Sequence, residues 1–302
     1  MSYNNADFSS AMTAAAVDVA KSVAADVLLV FMAGIDDLAA FRASVAKPTR
    51  LVLVCRNAEE SRRAEDCGLG HLEVPPFQLT RMGQIKMATL MAFSQQVLKA
   101  GDVFVILTGI GGQTIDTLVT MRVGKEFELF QSVGQPKLTE PIRRAVFEKV
   151  LTLALELAHE GREGKPVGTL FVVGDHRQMQ RFSLPGRINP FRGYGEKNRN
   201  ILDDSIRETV KELAKLDGAF ILKGNGVIVS AGTTLRPALA GEALPPGLGS
   251  RHAAAANITA STKSIAVSLS ESTGTVRVWR RGAMITEIER SAPASFDGSP
   301  QP

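Results

Sequence analysis

Short, continuous apolar runs that alternate with helical patterns constrain the fold of this chain more than any other feature. In the first half these runs include Val27–Met32, Leu51–Cys55 and Val103–Leu107. An apolar run without polar alternation is typical of a strand that is covered on both faces. The helical patterns between the runs lie at Ala11–Ala25, Asp36–Val45, Ala58–Asp66 and Thr80–Lys99. This order predicts βαβ units, and therefore an α/β domain with a mostly parallel sheet.

The second half of the chain has a less regular order of elements. A helix is predicted to begin at Thr139, and Asn225-Gly226 is a strong hairpin signal. The predicted strands are Val167–Val173, Asp217–Leu222, Val227–Ala231, Ile265–Leu269 and Thr275–Trp279, and the other predicted helices are Asp204–Lys215 and Arg251–Thr262. We therefore predict a second α/β domain with a mixed central sheet.

Length and composition suit two folded domains. The chain has 302 residues, of which 44% are hydrophobic and 22% are charged, so a folded core is expected rather than disorder. Residues 131–138 are polar and contain a glycine and a proline, which is typical of a linker. We predict a first domain at 1–130, this linker, a second domain at 139–290 and a loose tail at 291–302.

Composition also argues against several kinds of site and location. No apolar run reaches the length of a membrane span, and no secretory leader opens the sequence, so we expect a cytoplasmic protein. Cys55 and Cys67 lie too far apart for a CxxC site, and the 4 histidines are scattered. We therefore expect free thiols and no zinc site.

The basic character of the chain is by itself only weak evidence for nucleic-acid binding. The net charge is +4, and no helix-turn-helix or zinc-finger pattern accompanies it, so DNA binding is not expected. Basic residues do cluster over Arg177–Arg199. This segment is either a solvated loop or a surface that attracts an anionic nucleotide, and the sequence leaves both open.

A glycine-rich turn follows one of the buried runs of the first domain. The turn contains Gly109, Gly111 and Gly112, and a tight strand connection explains it better than a phosphate site does. With the segments PTRLVLVCRNAEESRRAEDCGLGHLEVP and AGDVFVILTGIGGQTIDTLVTMRVG, it makes Val27–Gly124 resemble the C-terminal α/β domain of pyruvate kinase. That resemblance implies a regulatory or oligomerising role for the first domain.

Two short motifs in the last third of the chain carry the chemistry. The first, Asp217-Gly218-Ala219, places a carboxylate beside a glycine at the start of a predicted strand. A carboxylate there can hold a divalent metal or accept a proton, and Gly218 lets a ligand approach the backbone. No GxxxxGK[ST] loop occurs in the chain, so a Walker site is not how a nucleotide is held.

The second motif, Gly249-Ser250-Arg251-His252, opens an alanine-rich helix. Arg251 offers a forked donor for phosphate, and the helix N-terminus adds free N–H groups and a positive dipole end. Gly249 and Ser250 allow a close, hydrogen-bonding approach. Three roles are possible for His252. A neutral ring could ligate a metal, an imidazolium could contact phosphate, and a helix-start residue needs no special task.

From Thr169 to Trp279 these motifs, in this order, resemble the diadenylate cyclase domain, also called DAC or DisA-N. The resemblance implies a nucleotidyltransferase that condenses two ATP into the second messenger cyclic di-AMP and two pyrophosphates. It implies Mg²⁺ or Mn²⁺ as cofactor and a homodimer of facing half-sites. It implies that Asp217, Arg251 and His252 are catalytic, with Asp217 and His252 as metal ligands.

The resemblance extends to further ATP-binding residues. Ser270 and Glu271 match a strand end near the phosphates and metal, and Leu235 matches a residue that contacts adenine; Gly218, Ala219, Gly249 and Ser250 complete the set. The chain departs from the family pattern at two positions. Ala253 stands where many members have an arginine, and Ser272 stands where they have a second glutamate.

Two alternatives remain beside the cyclase. The first is a non-catalytic nucleotide-binding sensor that keeps the fold, to which the two departures would point. The second is a DNA-scanning cyclase, which we do not expect because no helix-hairpin-helix module follows the cyclase-like segment.

Overall fold

The structure, a computed structural model, describes residues 5–35, 37–109, 115–124, 142–184, 186–236 and 249–291. The side chains of residues 5–7 are not among the described ones. The predicted linker at 131–138, the start of the helix predicted from Thr139, part of the glycine turn and nearly all of the predicted tail lie outside the described residues.

The first domain contains a five-stranded sheet with the order β3-β2-β1-β4-β5. Its elements are α1 Asn5–Ser22, β1 Val27–Phe31, α2 Leu38–Ser44, β2 Arg50–Cys55, α3 Ala58–Asp66, β3 Gly70–Glu73, α4 Arg81–Ser94, β4 Val103–Thr108 and β5 Thr117–Arg122. Four of the strands run parallel and β5 pairs antiparallel with β4, which confirms the mostly parallel sheet. The strands β3 and β5 were not predicted.

The helices of this domain begin where capping side chains predict. Thr80 accepts a hydrogen bond from the backbone N–H of Gly83, which confirms it as the N-cap of α4. The predicted extension of α4 to Lys99 is wrong, because the helix ends at Ser94 and Gln96 takes a positive φ of 59°. This turn brings Val97 and Leu98 onto the core.

Both cysteines of the first domain are free thiols. Cys55 is buried, and this burial raises the pKa of its thiol to about 12.

The second domain contains a seven-stranded sheet with the order β12-β11-β10-β6-β8-β9-β7. Its elements are α5 Arg144–Glu160, β6 Thr169–Gly174, α6 His176–Gln180, β7 Ser183–Leu184, α7 Arg207–Leu213, β8 Ala219–Lys223, β9 Ile228–Leu235, α8 Ser250–Ser261, β10 Ser264–Leu269, β11 Val276–Arg280 and β12 Ala283–Ile288. Only β6 and β8 run parallel, so the sheet is mixed as predicted. The short strand β7 and the edge strand β12 were not predicted.

The two sheets share one hydrophobic cluster. It includes side chains of β1 and α4 from the first domain and of α5, β6 and β10 from the second. The main chain also joins them, because the N–H of Thr80 donates to the carbonyl of Glu289 (3.3 Å) and the N–H of Ser291 donates to that of Gln78 (3.2 Å). The start of α4 is therefore fixed to the residues that follow β12.

A cluster of charged side chains joins α5 to α7. Glu156 and Lys211 are both 3% exposed, which is rare for charged residues unless they are paired. Arg207 donates through Nε to Oε2 of Glu156 (2.9 Å), while the Lys211 ammonium lies 2.7 Å from Glu160 and 3.0 Å from Glu208. The same ammonium lies 3.8 Å from Glu156, so it balances a buried carboxylate.

We predict that Lys211→Met destabilises the fold by about 1.5–3 kcal/mol, because it removes the buried ammonium that pairs with Glu160 and Glu208 and leaves the buried Glu156 carboxylate with Arg207 as its one remaining cation among the described residues. The matched control is Lys215→Met on the same face, whose partners Glu163 and Glu212 are exposed; we expect it to change stability by less than about 1 kcal/mol. Urea unfolding of both variants measures the difference. Equal small effects would show that Lys211 does not balance Glu156.

Candidate active site

Strand register brings three segments to one edge of the second sheet. In the antiparallel pair of β6 and β10, Thr169 lies opposite Leu269, so the start of β6 lies beside the end of β10. In the parallel pair of β6 and β8, Leu170 lies opposite Ala219, so both strands start at that edge. The residues just outside these ends are Gly168, Asp217, Gly218, Ser270 and Glu271. The structure therefore brings the predicted segment Asp217-Gly218 next to the predicted segment Ser270-Glu271.

Arg251, in the first turn of α8, lies between two carboxylates at this edge. Its Nη2 is 3.9 Å from Oδ1 of Asp217, and its Nη1 is 3.4 Å from Oε2 of Glu271. The Asp217 side chain is fully exposed and that of Glu271 is 59% exposed, whereas that of Arg251 is 31% exposed. The separations exceed the usual 2.7–2.9 Å of a charge-assisted hydrogen bond, so all three groups remain available to a ligand.

Gly168 makes room for this arrangement and is a site residue that the sequence analysis missed. A Cβ at this position would lie 2.6 Å from Nη1 of Arg251 and 2.9 Å from Cβ of Glu271. Any side chain here would therefore displace the guanidinium. A glycine directly before a buried strand is the only sequence signal of this role, and by itself it is common.

The N-terminus of α8 opens onto the same edge. Gly249 is the N-cap residue, and no side chain among the described residues caps the helix. The backbone carbonyl of Gly249 accepts from the N–H groups of His252 and Ala253. The N–H groups of Ser250 and Arg251 precede these bonds and have no intrahelical partner, so they suit an anion together with the helix dipole.

His252 follows Arg251 in the first turn of α8. Its side chain is buried, its ring lies 6.0 Å from that of Trp279, and Nε2 is 3.1 Å from Nη1 of Arg277. Burial, followed by the charges of Arg277 and Arg251, lowers the pKa of His252 below its ordinary value. Its Nδ1 is buried and has no partner among the described residues.

The other predicted residues lie around these groups. Ser270 is half-buried and its Oγ is 3.3 Å from Oγ of Ser272, the residue that replaces the family's second glutamate. Ala219 is buried on β8. Leu235, at the end of β9, packs against the apolar cluster to which Ala219 belongs.

The face of the sheet that carries this cluster also has a cavity of about 310 Å³. Ile221 and Ser230 form part of its lining, together with Arg187 and Arg192 from the basic segment. Ile221 shares a face of β8 with Ala219, because side chains two residues apart in a strand point the same way. Two exposed arginines of the basic segment therefore lie at the rim of this cavity.

A divalent cation would find oxygen ligands at this edge. Carboxylates suit Mg²⁺ and Mn²⁺, and Mg²⁺ sites commonly use one or two carboxylates plus substrate phosphates. The exposed carboxylates of Asp217 and Glu271, both within 4 Å of one guanidinium, fit that pattern. In the described part of the chain no group of three or more His, Cys, Asp or Glu side chains is placed to hold a metal by itself. The metal role of His252 stays a prediction.

Comparison with known proteins identifies both halves of the chain. Residues 156–284 match the family described as "DisA bacterial checkpoint controller nucleotide-binding", and residues 9–130 match "Probable sensor domain DacZ_P". The sensor-domain match gives the first half a more specific relative than the pyruvate kinase domain that the sequence suggested. The domain boundaries themselves stay predictions.

Two relatives carry the name diadenylate cyclase. The relative from Methanocaldococcus jannaschii is 35% identical over 222 residues, which cover 70% of this chain and 68% of the relative. The relative from Haloferax volcanii is 37% identical over 212 residues, which cover 69% of this chain and 76% of the relative. The crystal structure of DacA from Staphylococcus aureus overlaps 48% of this chain and 87% of its own, with 20% identity and a TM-score of 0.32.

Within the described residues, no helix has the length and apolar character needed to cross a bilayer. The cytoplasmic location expected from the sequence stays a prediction.

We predict that Gly218→Ala lowers the free energy of unfolding by about 1–3 kcal/mol. Gly218 has a φ of 110°, and a Cβ there would lie 2.7 Å from backbone atoms of Gly232 and Thr233. The control is Gly195→Ala, since Gly195 has a φ of −60° and nothing lies within 4 Å of its Cβ position. Thermal unfolding measures both, and an unchanged Gly218→Ala protein would contradict the close approach.

Proposed function

Because the chain belongs to the diadenylate cyclase family, we propose that it condenses two ATP molecules into cyclic di-AMP and releases two pyrophosphates. One structural observation supports this proposal above the others. Strand register and the start of α8 bring the carboxylates of Asp217 and Glu271 to one guanidinium, Arg251, at an open sheet edge. Phosphoryl transfer needs this combination, because it depends on positioning and charge stabilisation more than on covalent chemistry.

In the proposed reaction, the ribose 3′-hydroxyl of one ATP attacks the α-phosphorus of the other. The new O–P bond forms as the bond to pyrophosphate breaks, and the hydroxyl proton leaves to a base. The fork of Arg251 and the first-turn N–H groups of α8, next to Gly249 and Ser250, would hold the triphosphate. Asp217 would hold the cation or accept the proton, and its complete exposure allows either role. Bound Mg²⁺ or Mn²⁺ would offset the charge of the leaving pyrophosphate.

The nucleoside would extend from this edge along the face that carries β8 and β9. Leu235 is half-buried and would give that face apolar contact surface for a base, and it packs on the cluster that contains the buried Ala219. The cavity beside them is lined by Arg187 and Arg192, which suits an anionic ligand. Both arginines are solvent-exposed at this cavity, where they could attract an anionic nucleotide.

A second copy of the chain would complete the reaction centre. The described residues of one chain provide a single group of candidate phosphate ligands, around Arg251 and the start of α8. The proposed reaction joins two ATP molecules, each of which needs such a group. The Asp217 carboxylate faces solvent rather than the interior, so a facing half-site could reach it. We therefore propose a homodimer in which each half-site supplies one ATP.

The alternative is a nucleotide-binding sensor without turnover. It would draw support from Ala253 and Ser272, which remove an arginine and a glutamate of the family pattern. The retained Asp217 and Arg251 favour the cyclase, because a sensor has no need of an exposed carboxylate beside the phosphate ligand.

The test is to incubate the purified full-length protein with ATP and, separately, Mg²⁺, Mn²⁺ and Co²⁺, and to identify products by mass. We expect cyclic di-AMP with two pyrophosphates for each product molecule, at a rate per subunit that rises with protein concentration until the dimer is saturated. Measurable ATP binding with no product under any metal would favour the sensor. A rate per subunit independent of concentration, from a demonstrated monomer, would contradict the facing half-sites.

We predict that Asp217→Asn lowers turnover by on the order of 10²–10⁴ and leaves the fold intact. The amide has nearly the same shape as the carboxylate but cannot carry its charge, so it neither holds a cation well nor accepts the proton. Asp66→Asn, at the exposed end of α3, is the matched control and should keep full turnover. Steady-state rates with circular dichroism decide the outcome, and near-normal turnover would remove Asp217 from the mechanism.

We predict that Arg251→Ala weakens ATP binding and slows the reaction, and that Arg251→Lys restores only part of the loss. Charge-assisted hydrogen bonds contribute about 1.5–3 kcal/mol, which corresponds to roughly 10- to 150-fold. Lysine keeps the charge but loses the bidentate fork. Single-turnover rates and ATP titrations separate binding from chemistry, with Arg62→Ala on α3 as an exposed control. Unchanged affinity and rate in Arg251→Ala would leave the second motif with a structural role only.

A further inference from the structure

Arg290, which follows β12, lies against the turn that carries Glu271. This turn joins β10 to β11, and within it the N–H of Gly274 donates to the carbonyl of Ser270 at 2.9 Å. A Cβ at Gly274 would lie 2.7 Å from Nε of Arg290, so the arginine side chain packs directly on the main chain of the turn. Glu271 belongs to the same turn and lies 3.4 Å from Arg251. A shift of the turn would therefore move a carboxylate of the candidate site.

The guanidinium of Arg290 is held by the end of α5. Its Nη1 donates to the carbonyl of Ala158 at 3.0 Å. Ala158 lies in the last turn of α5, where carbonyl groups lack intrahelical partners and the helix dipole favours a positive charge. Arg290 thus joins the end of this helix to Gly274 through a contact that an apolar side chain could not make.

The main chain of Arg290 is held by the first domain. Arg290 and Leu79 form an antiparallel bridge just before α4. The first turn of α4 comes so close that a Cβ on Gly83 would lie 2.6 Å from the carbonyl oxygen of Glu289. The position of Arg290 therefore depends on the start of α4 as well as on its own domain.

The start of α4 is in turn fixed to the end of β4. Gln84 is 4% exposed, and its Nε2 donates to the carbonyls of Leu79 (3.3 Å) and Gly109 (3.1 Å). Its Oε1 accepts from Oγ1 of Thr108 at 2.7 Å. One buried amide therefore links the end of β4 to Leu79, the residue that pairs with Arg290.

We propose that Arg290 is a positioning residue that couples the first domain to the cyclase site: the start of α4 sets the position of Arg290, and Arg290 sets the position of the turn that carries Glu271. This inference rests on the proposed function, because Glu271 is taken to lie beside the bound triphosphate and its cation. The strand order of the first sheet reverses between β1 and β4, so the end of β4 lies where open α/β sheets usually bind ligands. A change there would reach the turn through Gln84, Leu79 and Arg290.

The direct test is amide hydrogen exchange in peptides that span the turn, measured by mass spectrometry on the full-length protein without nucleotide. The amides of Ser270 and Gly274 report on the turn, because both donate hydrogen bonds within it. Arg290→Met removes the guanidinium and should speed their exchange by roughly 10-fold or more. Arg144→Met, at the exposed start of α5, is the matched control and should leave the exchange of the turn unchanged.

Gly83→Ala tests the link from the first domain, and α4 itself should accept it because alanine is favoured over glycine inside a helix. The added Cβ would push the carbonyl of Glu289 away, so we expect faster exchange of the turn in the other domain. Gly70→Ala is the control in the first domain, since the nearest atom to its Cβ position is 3.8 Å away.

The double variant Gly83→Ala/Arg290→Met separates coupling from two independent structural effects. If the start of α4 acts through Arg290, the turn should exchange as fast in the double variant as in Arg290→Met alone. Effects that multiply would show that the two changes act independently, and they would overturn the inference. Arg290→Lys retains a cation that can reach the end of α5, so it should restore part of the protection, and it replaces Arg290→Met if that variant does not fold.

The readout at the site is the affinity for an ATP analogue with a methylene bridge between the α- and β-phosphates, added with Mg²⁺ and followed by titration calorimetry. We expect Arg290→Met and Gly83→Ala to bind it roughly 5-fold or more weakly, and Gly70→Ala to bind it normally. Turn exchange that neither variant changes, or faster exchange with unchanged affinity, would overturn the inference. The exchange is measured without nucleotide or turnover, so its outcome is separate from a failure of the proposed cyclase activity.

Discussion

The antiparallel pairing of β10 with β6 is the constraint from which the site follows. Because β6 also pairs parallel with β8, the end of β10 and the starts of β6 and β8 must share one edge of the sheet. The helix α8 precedes β10 through a short connection, and the two run in opposite directions. Its 12 residues span about 18 Å and the six residues of β10 span about 20 Å, so the start of α8 returns to that same edge. Ligands of open α/β sheets usually lie at the carboxyl ends of parallel strands, whereas the candidate site lies at the amino ends of β6 and β8, beside the end of the reversed strand β10.

The sequence predicted the site residues that lie together in a short motif, and it missed the residues whose contacts form only in the tertiary structure. Asp217-Gly218 and the start of α8 were found because a motif keeps its residues together along the chain. Gly168 and Arg277 were missed because their partners lie 83 and 25 positions away, at Arg251 and His252, and no periodicity reports such a contact. The alternation in VRVWR does place Arg277 on the same face of β11 as Trp279, but it cannot say which ring the guanidinium meets.

The elements that were predicted wrongly have the same cause. Residues 95–99 continue a helical pattern, yet the chain leaves the helix at Ser94 because Val97 and Leu98 gain burial in the core by turning back. The predicted strand at Asp217–Leu222 starts two residues later, at Ala219, since Gly218 takes a φ of 110° where it passes Gly232. The domain division is also less complete than the polar linker suggested. The start of α4 pairs with the residues after β12, and one cluster fills the space between the sheets.

The geometry around Arg251 links the binding of an anion to the binding of a cation. Without a ligand, its guanidinium stands 3.9 Å from Asp217 and 3.4 Å from Glu271, in pairs that are long and solvent-exposed and therefore weak. A triphosphate can form shorter bidentate contacts with the same fork and would displace both carboxylates at little cost. The two carboxylates would then face a phosphate chain without their own counter-charge, and a divalent cation is the group that balances both. Nucleotide and metal should for this reason bind together more tightly than either binds alone. Gly168 would keep this exchange possible, because a Cβ there would lie 2.6 Å from Nη1 of Arg251 and take up space that the guanidinium needs.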